Sequence, residues 1–455
     1  MKRIFALSLT AVLLLSSAVF AEDFDFESLF GDDLFMEIEE STSTTAVEDA
    51  LLVNEGIEVG GQYHFNVNGS RTYMESLDPS DAFSANLGGQ IFLDARPNPD
   101  FRVFAKTSLN YNTNFSEDQQ EEQDSEDQQE EQDKDPKQVS LRLTELFSDF
   151  HHNNQVYFRA GKQNVNWGVG YFFSPADVIN VGRIDPTDPD ADREGPVALK
   201  AHYPMASNNY YLYLLFDGVE KFSDLAVAPK LEYVMGKSEI GLGGFYQTDK
   251  VPRVMATISS TVGSFSVFGE GVVSFGSDKS FVEETVPSQE NPFGYKLVER
   301  DDTIFQVTVG GRRSYTDPDG RFNFSGALQY FYNGEGYTDQ EMLKDFRLNE
   351  MALGYFFGQK QLSLSDFSFT GRHYVGAMVG WSDMFNSKLS TSALWLANLS
   401  DGSGQLTASL SLPALSSIKP SVGVTRSYGE EGTEFGLLGP TTTVFAKVTI
   451  GSGSF

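Results

Sequence analysis

The densest set of groups able to act on a passing molecule lies in Gly161-Lys162-Gln163-Asn164-Val165-Asn166-Trp167-Gly168-Val169-Gly170-Tyr171-Phe172-Phe173-Ser174-Pro175-Ala176-Asp177-Val178-Ile179-Asn180. An ammonium, several carboxamides and a carboxylate can sort solutes by charge and hydrogen bonding, but they contain no nucleophile beside a base. Arg183 and Arg193 follow closely and could set positive charge opposite Asp177. No Gly-x-Ser-x-Gly elbow, Walker loop or dinucleotide fingerprint occurs, so neither catalysis nor a bound cofactor is expected. The five histidines, His64, His151, His152, His202 and His373, lack zinc spacing. Asp190-x-Asp192-x-Glu194-Gly195 follows the start of a calcium loop, but the twelfth position falls on Ala201, which cannot ligate. A solvated polar turn is the expected reading there, and no metal site is expected.

The elements that must position these groups are written in period-2 alternation. Residues 441 to 450 put Thr442, Val444, Ala446, Val448 and Ile450 on one face and Thr441, Thr443, Phe445, Lys447 and Thr449 on the other. One face suits lipid and the other water. In hydrocarbon every backbone group must be paired internally, so only helices and closed barrels span, and a tilted strand of ~9–11 residues suffices. Alternating stretches recur at 56–68, 82–95, 101–113, 138–150, 155–163, 196–204, 208–217, 226–236, 238–247, 251–263 and 264–275. They continue at 302–315, 320–333, 351–357, 370–381, 387–399, 404–412, 417–428 and 440–455. The fold class is therefore all-β, a transmembrane antiparallel β-barrel over 54–455. These are nineteen stretches, and single-chain bacterial barrels have even strand numbers, so about 16 strands are expected, within ~14–18. Turn chemistry agrees at Asp317-Pro318-Asp319-Gly320, Asp217-Gly218 and Asp401-Gly402. Short turns belong on the periplasmic side, which places the inserts 114–137, 276–300 and 334–350 outside.

Within the barrel, the strand carrying Val156, Phe158 and Ala160 runs into three glycines, then Ser174 and Pro175, which suit the cap and first position of a short helix with Asp177 in its first turn. Such a helix would fold into the lumen, making 164–195 a constriction lined by Lys162, Asn164, Asn166, Asp177, Arg183 and Arg193. Gly161, Gln163, Trp167, Gly168, Gly170, Pro175 and Asn180 would be its structural frame. Trp167 and the glycines either let the backbone turn inward and pack, or touch the solute, and an eyelet could combine the two.

This stretch resembles a group of poorly characterised Gram-negative and spirochaetal outer-membrane porin-like proteins. Their pattern is a Gly-basic-Gln strand end, Trp-Gly, a Pro-x-Asp turn and Asn, then Asp-Pro and Arg-x-Gly. Here the later elements are Asp185-Pro186 and Arg193-Glu194-Gly195. The resemblance covers 158 to 204 and implies an outer-membrane porin or exporter. The expected function is thus a channel for diffusion of small solutes, with a barrel transporting hydrophobic molecules or lipids as the alternative.

Residues 1–21, with Lys2 and Arg3 ahead of the apolar run Ile4 to Leu15 and Ala21 before Glu22, read as a secretory signal peptide. With no cysteine, a lipoprotein anchor and disulfides are excluded. The net charge of −31 is concentrated: 22–49 holds eleven acids and no Lys or Arg, and 116–137 holds eleven acids against Lys134 and Lys137. Segment 22–53 is expected to be a flexible acidic leader, with a short amphipathic helix or a periplasmic contact as the other reading. Residues 116–124 recur residue for residue at 125–133. Replication slippage in a tolerant loop explains this repeat without function; cation binding or surface variation would be functional readings. The acidity opposes nucleic-acid binding. The expected partners are outer-membrane lipid, small solutes and the barrel assembly machinery, for which the terminal Phe455 resembles the recognition signal. Gly451 and Gly453 depart from that signal's apolar pattern.

Overall fold

A computed structural model describes residues 56–74, 77–115, 139–165, 167–180, 184–189, 191, 193–288, 292–359 and 361–454. The expected signal peptide (1–21) and acidic leader (22–53), the acidic repeat and Phe455 lie outside the described residues.

The strands are β1 (Gly56–Met74), β2 (Ser80–Asn98), β3 (Phe101–Phe115), β4 (Val139–His152), β5 (Val156–Lys162), β6 (Val197–Met205), β7 (Asn208–Leu215), β8 (Ala226–Met235), β9 (Ser238–Phe245) and β10 (Arg253–Val262). They continue with β11 (Phe265–Phe275), β12 (Phe281–Glu284), β13 (Tyr295–Val298), β14 (Thr303–Thr316), β15 (Asn323–Asn333), β16 (His373–Met384), β17 (Leu389–Asn398), β18 (Ser403–Ser411), β19 (Ile418–Tyr428) and β20 (Thr441–Ser454). All but β12 and β13 form one 18-stranded sheet. Each strand pairs antiparallel with the next, β11 passes to β14, and β20 closes on β1. The chain is an all-antiparallel closed barrel of 18 strands, above the expected 16 and at the upper end of the expected range.

The nineteenth alternating stretch is not a strand. Residues 351–357 lie in a helix, α2 (Glu350–Gly358), which follows α1 (Gln340–Leu348). Asn349 caps α2 by accepting from the Ala352 N–H, and Ala352, Leu353 and Phe356 are buried, a one-sided helical spacing that competes with the apparent alternation. The helices and the β12–β13 hairpin build a cap with its own core of Val282, Tyr295, Phe346, Leu353 and Phe356. Loop 429–440 ties the cap down: Glu430 accepts from the Lys344 ammonium at 2.7 Å, and Gly432 O from Arg347 at 3.3 Å.

The longest connections share one rim, which also carries the short connection 399–402. The connections at 99–100, 153–155, 206–207, 236–237, 263–264, 317–322, 385–388 and 412–417 share the rim where β1 begins and β20 ends. The opposite rim carries 276–302 with the hairpin, 334–372 with the helices and the long connection from β5 to β6, and β3 ends and β4 begins there as well. This is the two-rim asymmetry that the strand pattern predicted. At the short-turn rim β20 bulges between Tyr63 and Phe65 of β1, and Gly451 takes φ +66 there. A bulge of this kind favours glycine, which accounts for Gly451.

Outward positions keep large apolar side chains exposed on many strands, among them Ile57, Leu87, Leu109, Leu141, Leu242, Val254, Ile258, Phe305, Val309, Leu328, Val379 and Val444. Such a continuous apolar exterior is stable against hydrocarbon and not against water. No described helix is long and apolar enough to cross a membrane. Inward positions on β1–β3 and β18–β20 are different. Gln62 donates to Gln90 at 2.9 Å, Asn86 to Asn112, and Thr449 to Asn66 at 2.7 Å; Thr72 meets Thr443 at 2.8 Å. Val307→Arg, on the lipid face of β14, should lower the free energy of folding into vesicles by ~2–4 kcal/mol. The lumen-facing Gln90→Arg should change it by under ~1 kcal/mol, both read by urea titration of reconstituted barrel.

Candidate functional site: an insert held across the lumen

After Lys162 the chain leaves the sheet and returns only at Val197. The described residues between form neither a strand of the sheet nor a helix. The helix expected at Ser174-Pro175 is a single turn in which the Asp177 N–H donates to Ser174 O at 3.1 Å. The reason lies in the barrel wall. Glu270 of β11 accepts through Oε1 from the N–H groups of Val169 and Gly170 and from the Ser174 hydroxyl at 2.8 Å, and through Oε2 from the Ala176 N–H at 2.9 Å. Gln329 of β15 accepts from the N–H groups of Tyr171, Phe172 and Phe173 at 3.0, 2.7 and 3.4 Å. Its amide donates to Phe173 O and to Thr308 Oγ1 at 2.6 Å. Donors that a helix would have bonded to its own carbonyls go to two wall side chains instead.

The approach is close enough to require glycine. A Cβ on Gly168 would strike the Ser174 hydroxyl and the Glu270 carboxylate, and one on Gly170 would strike Phe173 O. Apolar packing completes the hold on both flanks. Val165, Trp167, Ala176 and Ile179 bury against Tyr213 and Leu215 of β7, Ala228 of β8, Met255 of β10 and Val272 of β11. Tyr171, Phe172 and Phe173 bury against Phe268 of β11, Phe331 of β15, Tyr374 and Met378 of β16 and Leu396 of β17. Trp167 is 1% exposed, edge-on to Tyr213 at 5.1 Å between ring centres, with its indole N–H on the Met255 sulfur. The Lys230 ammonium lies 5.4 Å from the Trp167 ring and donates to Trp167 O at 3.2 Å.

The expected constriction residues separate into three kinds. Lys162 pairs with Glu194, and Asp177 with Arg193. Arg193 thus meets Asp177 directly. Asn164 is exposed. Asn166 and Arg183 lie outside the described residues. Among the framing residues, Gly161 pairs with Phe147 at the end of β5, and Gln163 is buried, donating to Ala198 O at 3.1 Å. Asn180 clasps the segment by donating to Val165 O at 2.6 Å and to Asp177 at 2.8 Å. Pro175 lines a cavity above the insert.

The sequence reading missed Glu270 and Gln329, and it missed a row of charges on the inner wall. Arg102 bridges Asp94 at 2.9 Å and Asp149 at 3.0 Å, and Arg159 meets Asp149 at 2.7 Å. The available signal was a charged or amide residue at an inward position of an otherwise apolar strand, as Glu270 is in Phe265–Phe275.

In the insert, the Lys162 ammonium holds the Glu194 carboxyl below its usual range. Burial pushes the Asp177 carboxyl up, opposed by Arg193.

A family described as "Protein of unknown function (DUF1302)" matches residues 2–199, under half of the chain. No curated protein matches. Among solved structures, Acinetobacter baumannii OccAB1 is similar at TM-score 0.47 and 11% identity, over 87% of this chain and 97% of that one. Pseudomonas aeruginosa OpdK, solved with vanillate, is similar at 0.46 and 11%, over 88% and 99%. Salmonella typhi OmpF in complex with daunomycin is similar at 0.41 and 11%, over 88% and 97%. Likenesses this distant carry no argument about what this chain does.

Gln329→Ala removes the acceptor of three buried N–H groups, and a buried polar group left unsatisfied costs ~1–3 kcal/mol. Trp167→Ala should cost ~3–5 kcal/mol. Urea unfolding should show both losses while the folded fraction stays heat-modifiable on gels. For pH, a lowered Glu194 value stabilises above the usual ~4.3 and is lost as pH falls through the folded value. The raised Asp177 value acts oppositely, favouring the folded state as pH falls toward ~4. The melting temperature should therefore rise as pH falls from 7 toward about 4, where Asp177 takes up its proton, and drop below that as Glu194 loses its charge, and Glu194→Gln should flatten the drop.

Proposed function

We propose that this chain is an outer-membrane channel through which small solutes diffuse. The observation that carries the reading is the division of its interior. The insert packs along the wall from β6 to β17. On the remaining arc the inward Gln62, Ser84, Asn86, Gln90, Asn110 and Asn112 are uncharged, hydrogen-bonding and at least part-exposed, beside the ion-paired row from Asp94 to Arg159. Water therefore reaches them from inside the barrel. A polar lumen beside a folded-in segment is the arrangement by which such barrels set size and selectivity. The apolar exterior and the two-rim asymmetry support the membrane setting, with the long-loop rim outermost.

Transport of hydrophobic molecules or lipids calls for a side exit. Among the described residues every neighbouring strand pair is hydrogen-bonded, β20 to β1 included, which leaves no lateral gap. Selection would fall on the path beside the insert, with Lys162, Asn164, Asn166 and Arg183 as candidate contacts. Purified barrel in planar bilayers should show stable single-channel steps. Deleting 168–180 should raise the conductance several-fold and preserve heat-modifiability, since it removes a plug and no strand. A correctly inserted barrel that does not conduct overturns the channel reading, and unchanged conductance after the deletion places the insert off the path.

A further inference from the structure

The insert and the connections that carry Lys250, Asp278, Glu335 and Asp366 line a cavity of about 360 Å³. We propose that it binds one small zwitterion with an aromatic body before passage; this rests on the channel reading and names its solute class. A volume near the lower end of the ~300–1,000 Å³ usual for small-molecule sites admits a single compact molecule and no polymer. The apolar side is aromatic. Phe173 stacks on Phe331 at 5.3 Å between centres and meets Phe369 edge-on at 5.8 Å, and all three rings line the cavity. Another ring can be received there by offset or edge contact.

Four carboxylates and three cations line the cavity, and most are already committed. Arg253 is held by Asp278, Lys279 lies 3.7 Å from Glu335, and Asp177 is taken by Arg193. Two poles are left. The Lys250 side chain is exposed and has no partner among the described residues, and it lines the cavity. Among the described residues Asp366 accepts through Oδ2 alone, from the Ser363 N–H at 2.8 Å and hydroxyl at 2.7 Å, which leaves Oδ1 for a ligand. An anion would gain Lys250 but meet Asp366 and its neighbours without compensation, and a cation would meet the reverse. A molecule carrying both charges satisfies both poles at once, and the rings receive its body.

The test is calorimetric titration of the whole, detergent-solubilised chain with L-phenylalanine, phenylacetate, phenethylamine and glycine. Phenylalanine should bind at least about 10-fold more tightly than each of the others, which lack the ammonium, the carboxylate and the ring respectively. Lys250→Gln and Asp366→Asn should each weaken phenylalanine by a similar factor in barrels that remain heat-modifiable. Phenylacetate binding as tightly as phenylalanine, glycine binding equally, indifference to Lys250→Gln, or no binding by a folded barrel would each overturn the proposal. Binding is read without current, so the two claims separate. A conducting barrel that binds none of the four loses only this site, and a non-conducting barrel that binds phenylalanine loses the channel and keeps the site.

Discussion

A segment of backbone that crosses the inside of a barrel has to find partners for its N–H groups, and this one has no helix or ladder of its own to supply them. Glu270 and Gln329 do so, taking the donors of Val169 through Phe173, the Ala176 N–H and the Ser174 hydroxyl between them. An unpaired buried donor costs ~1–3 kcal/mol, so a run of them without these acceptors would outweigh much of the stability of an ordinary domain. Everything else about the insert follows from that clasp. Glycine is required where the backbone meets the carboxylate, and Trp167 and Phe172 bury on either side because the fixed backbone aims them there.

The barrel makes the clasp possible and is governed by a second constraint, closure. With β20 paired to β1 no edge is left, and each strand devotes alternate positions to lipid and to the interior. The interior positions are then free to differ around the ring. On β6 to β17 they are apolar where the insert packs, with single polar residues placed at its donors. On β18 through β3 they include carboxamides and hydroxyls, several bonded to one another. On β2 to β5 a chain of ion pairs from Asp94 to Arg159 fixes the wall, its desolvation offset by several bonds per charge.

The barrel was legible because alternation over many strands is a global pattern that local errors do not destroy. Eighteen of the nineteen alternating stretches are strands. The exception, 351–357, is short and apolar throughout, where a period of 2 and a period of 3.6 cannot be told apart; the Asn349 cap was the local cue for helix. The glycines and Trp167 led to the expectation that 164–195 folds inward, and Val165, Trp167, Tyr171, Phe172, Phe173, Ala176 and Ile179 of that segment pack against strand side chains. Its internal form was not legible, since Ser174-Pro175 is a helix start only if nothing outcompetes the helix. The competitor, Glu270, lies 96 residues from Ser174. For the same reason the pairing of Asp177 with Arg193 was not visible, as their spacing fits facing walls and direct contact equally well.

The account depends on the clasp, and amide hydrogen exchange on the folded chain reads it most directly. If Glu270 and Gln329 hold the insert, the amides of Val169, Gly170, Tyr171, Phe172 and Ala176 should exchange as slowly as those in the middle of β11 and β15. Gln329→Ala should release Tyr171 and Phe172 selectively. Exchange of all five at the rate of an unprotected loop, in a barrel whose strands remain protected, would contradict the account.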